Sequence, residues 1–129
     1  MTFPDDVRYA STHEWAREQD GLVTVGITGY ATDQLGDVVF VDLPAVGRKL
    51  AAGDKFGEIE AVKTVSDLYV PVAGEVVEVN TGLGDDPAAV NRDPYGAGWM
   101  LRLKPSEREA VKALLTSAAY AQVVAEAHP

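Results

Sequence analysis

Phe56-Gly-Glu-Ile-Glu-Ala-Val-Lys-Thr-Val-Ser-Asp-Leu-Tyr-Val-Pro-Val-Ala-Gly74 is the stretch that decides the fold. Its first half alternates: Gly57, Ile59 and Ala61 fall on one face of an extended chain, Glu58 and Glu60 on the other. Its second half alternates as well, with Leu68, Val70 and Val72 opposite Asp67 and Tyr69. Pro71 has no N–H to give a ladder, which puts that strand at an edge or a bulge. The two halves must reverse around residues 62–66, with Lys63 near the tip. This reversal contains no Gly, Asn or Pro, and β-branched Val62 and Thr64 flank the lysine. Local turn chemistry does not explain it. Where local preference and fold disagree, a functional constraint is the reading to pursue. An exposed turn lysine is by itself a solvated charge, but the frame around this one is a displaying hairpin. A flexible stem on a rigid hairpin projects its amine outward and offers a modifying enzyme a fixed shape, as small carrier domains do.

Outward from that hairpin, segments 21–27, 37–43 and 75–79 are also short and Val-rich, and with 56–62 and 67–72 they predict a compact sandwich or barrel. A short helix is expected over 30–35, with Thr28 as N-cap and Gly36 ending it in the left-handed conformation. Gly36-Asp-Val-Val-Phe-Val-Asp42 echoes Gly74-Glu-Val-Val-Glu-Val-Asn80, which predicts two small sheets packed with pseudo-two-fold symmetry. Residues 80–99 are dense in turn formers and read as a long ordered loop. Residues 99–103 read as a last strand. Ser106-Glu-Arg-Glu109 has the form of a capping box. Val111, Leu114 and Leu115, then Tyr120, Val123 and Val124, repeat at helical spacing, so two short C-terminal helices are expected. The 129 residues thus predict one domain, with its core over 7–103 and a helical segment over 106–126.

Charge and composition remove several functions. Eleven Lys and Arg against twenty Asp and Glu give a net charge of −9, which disfavours nucleic acid and anionic membranes. There is no cysteine, so the side chains supply no disulfide, thiolate nucleophile or zinc–thiolate site. No targeting or spanning segment is visible, and a soluble, cytoplasmic, bacterial monomer is expected. The histidines are His13 and His128. A triad on His13 would need Ser11, Thr12 and Glu14, and neighbours on an extended chain point to opposite faces. His13 is therefore read as a hydrogen-bonded partner within the fold. Gly26-Ile-Thr-Gly29 lacks the rest of a phosphate loop, and Asp5-Asp6 and Asp85-Asp86 lack calcium-loop spacing. Neither a catalytic set nor a metal site is expected.

The blocks Tyr9-Ala-Ser-Thr-His-Glu-Trp15, Val25-Gly-Ile-Thr-Gly-Tyr-Ala31 and Leu35-Gly-Asp-Val-Val-Phe-Val-Asp-Leu-Pro44 precede the hairpin block over residues 56–67. Pro71-Val-Ala-Gly-Glu-Val-Val-Glu-Val-Asn80 and Val90-Asn-Arg-Asp-Pro-Tyr-Gly-Ala-Gly-Trp99 follow it. With these six blocks carrying the match, the chain from about Val7 to Val124 resembles the H proteins of the glycine cleavage system. The resemblance implies a mostly β, lipoyl- or biotinyl-type flattened barrel, with lipoic acid in amide linkage to Lys63. It implies a carrier of glycine catabolism and one-carbon metabolism, not an enzyme. Glycine decarboxylase would load an aminomethyl group, a tetrahydrofolate-dependent aminomethyltransferase would remove it, and dihydrolipoyl dehydrogenase would reoxidise the dithiol. The family also implies a cleft for the loaded arm, here lined by Thr12, Glu14 and Asp67. Glu60 and Gly74 match positions read by lipoyl-attaching enzymes. Ala61 and Thr64 depart from the commoner Ser and Ala without touching the lysine. A carboxylate pair beside a hydroxyl suits a cationic amine that must be held out of water.

Three rivals remain. A biotinyl carrier shares the fold, but its lysine sits between methionines. A lipoyl relay would pass the group to other enzymes. An unmodified binding module would need no lysine at the tip. In a lipoylated chain the thiols arrive with the cofactor, and a cysteine-free carrier avoids internal mixed disulfides with them.

Overall fold

The β-branched side chains that dominate the central segments are stiff at χ1 and pack well on a pleated surface, and the chain accordingly forms more strand than helix. The computed structural model describes residues 2–127, so His128 lies outside the described residues. Among these, nine strands form two sheets. Strands β1 (Arg8–Tyr9), β2 (Glu14–Gln19), β3 (Leu22–Ile27), β5 (Lys49–Leu50), β8 (Gly74–Val79) and β9 (Leu101–Pro105) make the larger sheet, in the order β1-β2-β3-β9-β8-β5. Strands β4 (Val38–Asp42), β6 (Lys55–Ala61) and β7 (Val65–Tyr69) make the smaller one, in the order β4-β6-β7. All pairings are antiparallel. Inward residues of both sheets, Val25, Leu101 and Val76 from one and Ile59 and Leu68 from the other, join a single apolar cluster. The smaller sheet thereby has one dry face and one wet face.

The echo between the two glycine-led segments has a structural counterpart. Its copies fall in different sheets, and each carries an extra residue at the same point of the frame. Val39 bulges β4 between Val38 and Phe40, and Val77 bulges β8 between Val76 and Glu78. A bulge bends and twists its strand, and Val38 and Val76 stay buried before it while Val39 and Val77 face water.

The first helix, α1 (Gly29–Leu35), begins at Thr28, whose hydroxyl accepts the Ala31 N–H as expected. Gly36 ends it at φ +78° and ψ −155°, a positive-φ cap outside the left-handed helical region. Residues 80–99 contain two short helical turns, α2 (Gly82–Asp85) and α3 (Ala89–Arg92). The Asn80 amide donates to the Ala97 and Trp99 carbonyls at 2.9 and 2.7 Å and closes the ends of this excursion.

Four expectations need correction. Strand β2 is absent from the expected set, because Arg17, Glu18 and Gln19 make it read as a polar stretch. Its hairpin with β3 closes on Asp20-Gly21, both at positive φ, the conformation a two-residue hairpin loop needs. The strand expected over 67–72 ends at Tyr69, so Pro71 lies in the connection to β8. The strand expected over 99–103 starts two residues later, at Leu101. The capping-box motif starts no helix: the Ser106 N–H is taken by the Ala73 carbonyl at 3.0 Å. A 3-10 turn at Ala110–Ala113 follows instead, and then α4 (Ser117–Ala127). Helix α4 buries Tyr120 in a second apolar cluster with Val7, Tyr9 and Trp15. The Tyr120 and Tyr9 rings stack with centroids 4.6 Å apart.

Candidate functional site

Strands β6 and β7 pair down to Glu60 opposite Val65. The Ala61 N–H donates to the Thr64 carbonyl at 2.8 Å, leaving Val62, Lys63 and Thr64 as the tip. The Val62 N–H donates to the Asp37 carbonyl at 3.0 Å. Among the described residues, His13 and Asp20 are the non-glycine residues at positive φ. The tip therefore turns entirely within φ values that β-branched residues adopt, and its hold on residue 37 replaces the missing turn formers. Lys63 stands exposed at its apex.

Beside the edge strand β7 lies a cleft of about 280 Å³. Thr12, Glu14 and Asp67, the three residues that the resemblance implied, all line it. Ile27, Ala31, Leu35, Ile59 and Leu68 supply apolar walls, and His13, Tyr30, Gln34 and Ser66 complete the lining. Residues 10–14 form a tight turn in which the Ala10 N–H donates to the Glu14 carbonyl at 2.9 Å and the His13 N–H to the Ala10 carbonyl at 3.0 Å. With His13 at φ +78°, Thr12, His13 and Glu14 all meet the same cleft. Ser11 is exposed and lies outside the lining, so residues 11–14 do not all converge, as expected; the extended-chain assumption is corrected for the other three, which the turn brings together.

Glu14 is 2% exposed. The Thr12 hydroxyl donates to its Oε1, and the Tyr69 N–H donates to its Oε2 at 3.3 Å. Burial pushes its carboxyl up to about 7, against the opposing pull of these hydrogen bonds. The cleft therefore holds a carboxyl poised near neutrality. His13 shares a 2.7 Å hydrogen bond with the Tyr120 hydroxyl, which sits 2.8 Å from the Thr28 hydroxyl. Burial lowers the imidazole's affinity for a proton. His13 is thus a partner within the fold, tied to α4.

Asp67 is half exposed at the rim. Lys55 Nζ lies 3.1 Å from its Oδ1 and 2.7 Å from Glu58, and the Tyr69 hydroxyl donates to Oδ2 at 3.4 Å. Lys55, Tyr69 and Tyr30 are contributors that the sequence did not single out: Lys55 and Tyr69 face each other through the pairing of β6 with β7, and Tyr30 arrives on α1, its ring centroid 4.8 Å from that of His13. Glu60 and Gly74 are not brought to the cleft. Glu60 is exposed on the wet face of the smaller sheet. Gly74 lies in the larger sheet, where a Cβ would come within 2.5 Å of the Lys104 carbonyl oxygen, so close strand packing requires a glycine there.

The arrangement suits a tethered guest. Lys63 and Asp67 are four residues apart, at most roughly 13 Å of extended chain. That is the reach of a lysine side chain lengthened by a medium-chain acyl group. The apolar walls fit such a chain, and the polar end with Glu14 fits a cationic terminus.

The chain is similar to known proteins along nearly its whole length. The model of the family described as "Glycine cleavage H-protein" matches residues 7–127. The glycine cleavage system H protein of Bacteroides thetaiotaomicron is 51% identical over 124 residues, which cover 96% of this chain and 98% of that one. The Acinetobacter baumannii protein of the same name is 51% identical over 120 residues, 93% of this chain and 97% of its own. A crystal structure of a glycine cleavage system H protein from Mycobacterium marinum superposes with a TM-score of 0.88 at 47% identity. It covers 95% of this chain and 99% of that one.

Proposed function

The chain belongs to the glycine cleavage H-protein family, and from that premise we propose that Lys63 carries its lipoyl arm and that Thr12, Glu14 and Asp67 receive the arm's loaded end. The protein is a lipoyl-bearing carrier of the glycine cleavage system. Its partners in this reading are glycine decarboxylase, the aminomethyltransferase, dihydrolipoyl dehydrogenase and the lipoyl-attaching enzyme. Among the described residues no helix is long and apolar enough to cross a membrane, and the reading includes a cytoplasmic location.

When attached, the lipoyl group supplies a dithiol that takes up the aminomethyl cargo and is later reoxidised. The chain's own residues hold and shield. The amide at Lys63 would be displayed by a turn whose backbone is fixed to residue 37. Ile59, Leu68, Ile27 and Leu35 would exclude water from the arm. Glu14, deprotonated by the approach of an ammonium, would pair with that charge in a dry site, where the pairing is strong. Thr12 keeps the carboxylate aimed, and Asp67 adds a second negative charge at the rim.

The observation that carries the reading is the convergence of residues 12 and 14, from one turn, with residue 67 of β7 on one cleft four residues along the chain from an exposed lysine. Intact mass spectrometry of protein from its native host tests it. One lipoyl-sized addition is expected, and Lys63→Arg abolishes it. A biotin-sized addition, no addition under lipoate-replete conditions, or an addition that survives Lys63→Arg would overturn the assignment.

A further inference from the structure

No residue of α4 lines the cleft, yet the helix is tied to two of its walls through one atom. Tyr120 is fully buried, and its hydroxyl lies 2.7 Å from His13 Nδ1 and 2.8 Å from the Thr28 hydroxyl. His13 sits in the turn that presents Thr12 and Glu14. Thr28 caps α1, which presents Tyr30, Gln34 and Leu35 to the same cleft. With one proton to give, the phenol donates to one partner and accepts from the other, so each bond strengthens the other. The Thr28 N–H also donates to the His13 carbonyl at 3.0 Å, which closes a ring of bonds through residues 13, 28 and 120.

The turn needs such a hold. A non-glycine residue at φ +78° is uncommon, and it persists where the surrounding structure fixes it. The Tyr120 ring is a rigid support for that purpose. It is stacked on Tyr9 and met edge-on by Phe3, with centroids 4.6 and 4.8 Å away, so its hydroxyl cannot follow a shift of the turn.

We propose that Tyr120 is a positioning residue for the cleft: its hydroxyl, fixed by the docking of α4, holds the turn at His13 and the start of α1 at the spacing that lets Thr12 and Glu14 receive the loaded end of the arm. The proposal rests on the reading of the cleft as the arm's shelter. The hydroxyl touches neither the arm nor the lysine. It acts by keeping residue 13 at positive φ. Were that residue to relax to negative φ, Thr12 and Glu14 on either side of it would lose their common direction. Shelter thus depends on a helix outside the two sheets, and undocking α4 would open the cleft without altering Lys63.

Two matched variants test the inference. Tyr120→Phe keeps the stacked ring and removes only the hydroxyl. Tyr9→Phe removes the hydroxyl of the other ring in the stack, whose partner is the Pro4 carbonyl at 2.6 Å. Amide hydrogen exchange in the unmodified protein reads the turn without the arm, with the amides of β3 as the reference for global unfolding. Relative to that reference, the His13 and Thr28 amides should exchange about tenfold faster in Tyr120→Phe and stay within about twofold of wild type in Tyr9→Phe. Lipoylated and charged with glycine, Tyr120→Phe should lose its aminomethyl cargo about threefold faster than wild type or more, and Tyr9→Phe at the wild-type rate. Lipoyl attachment should proceed equally in all three. Equal exchange in the two variants, or slower attachment in Tyr120→Phe, would overturn the positioning role and leave the shelter intact. So would a wild-type lifetime for loaded Tyr120→Phe where Glu14→Ala shortens it. Wild-type lifetimes in both Tyr120→Phe and Glu14→Ala would overturn the shelter itself, and the positioning role with it.

Discussion

The hairpin tip and the cleft lie a few residues apart along β7 and are built on opposite principles. The tip is exposed, continuous in sequence, and free of unusual backbone angles. The cleft is drawn from the turn over residues 10–14, from β3, α1, β6 and β7, and it depends on a histidine at positive φ. At the tip a charged amine stays in water. In the cleft a carboxyl is taken out of water and its proton affinity rises to match. The contrast suits a carrier that must show a reactive group to several enzymes and hide it between them: display needs an accessible residue on a stiff support, and protection needs a dry site. The two demands cannot be met in one place.

Variants that separate the two regions test the contrast. The largest effect is at the tip. Lys63→Arg should abolish glycine-dependent loading altogether, yet leave the unfolding free energy within about 0.5 kcal/mol, because an exposed side chain contributes little to the fold. A stability loss of several kcal/mol in urea unfolding would show that the tip is structural.

The next effect belongs to Glu14. Its folded carboxyl titrates near 7 and its unfolded one near 4.5. Between those values the folded protein keeps a proton that the unfolded chain has released, so the contribution of Glu14 to stability falls as pH rises through this window and then levels off. The loss is on the order of 2–3 kcal/mol. Glu14→Gln should remove that slope, becoming the more stable protein at pH 8. Parallel stability curves for wild type and variant from pH 4.5 to 8 would contradict the burial argument.

Tyr120→Phe should cost about 1–2 kcal/mol, since it strips a partner from both His13 and Thr28 in buried surroundings. Because this change acts behind the cleft and away from the tip, the rate of lipoyl attachment should not alter. The smallest effect is at the rim. Lys55→Met breaks two exposed, solvent-screened ion pairs and should leave the thermal midpoint nearly unchanged. It also releases Asp67, so the loaded protein should lose ammonia no faster than wild type. Faster loss would make Lys55 part of the protection.

The two regions also differ in how far they can be read from sequence. Period-two alternation through residues 56–72 is a local signal, and by itself it locates the hairpin and Lys63. Thr28 and Gly36 mark the first helix for the same reason, since caps are chosen by chemistry within a single turn. What fixes the tip, the bond from Val62 to the Asp37 carbonyl, joins residues 25 apart in sequence and has no local trace. The cleft residues emerge only through family resemblance. Their convergence depends on the backbone of His13, and although histidine is enriched at positive φ, only a few per cent of non-glycine residues adopt it, so the residue type alone does not mark the turn. Strand β2 escapes a sequence reading because its outer half carries charge to the solvent. The motif at Ser106 misleads because a tertiary partner, the Ala73 carbonyl, claims its N–H.

The central claim, display at the tip and protection in the cleft, meets its most direct test in the lifetime of the loaded protein. Lipoylated wild type and lipoylated Glu14→Ala would each be charged with glycine and glycine decarboxylase, then separated from the enzyme. Intact mass would follow loss of the aminomethyl cargo over time at pH 8. The account predicts equal initial loading and a lifetime at least tenfold longer for wild type. Equal lifetimes for the two proteins would contradict it.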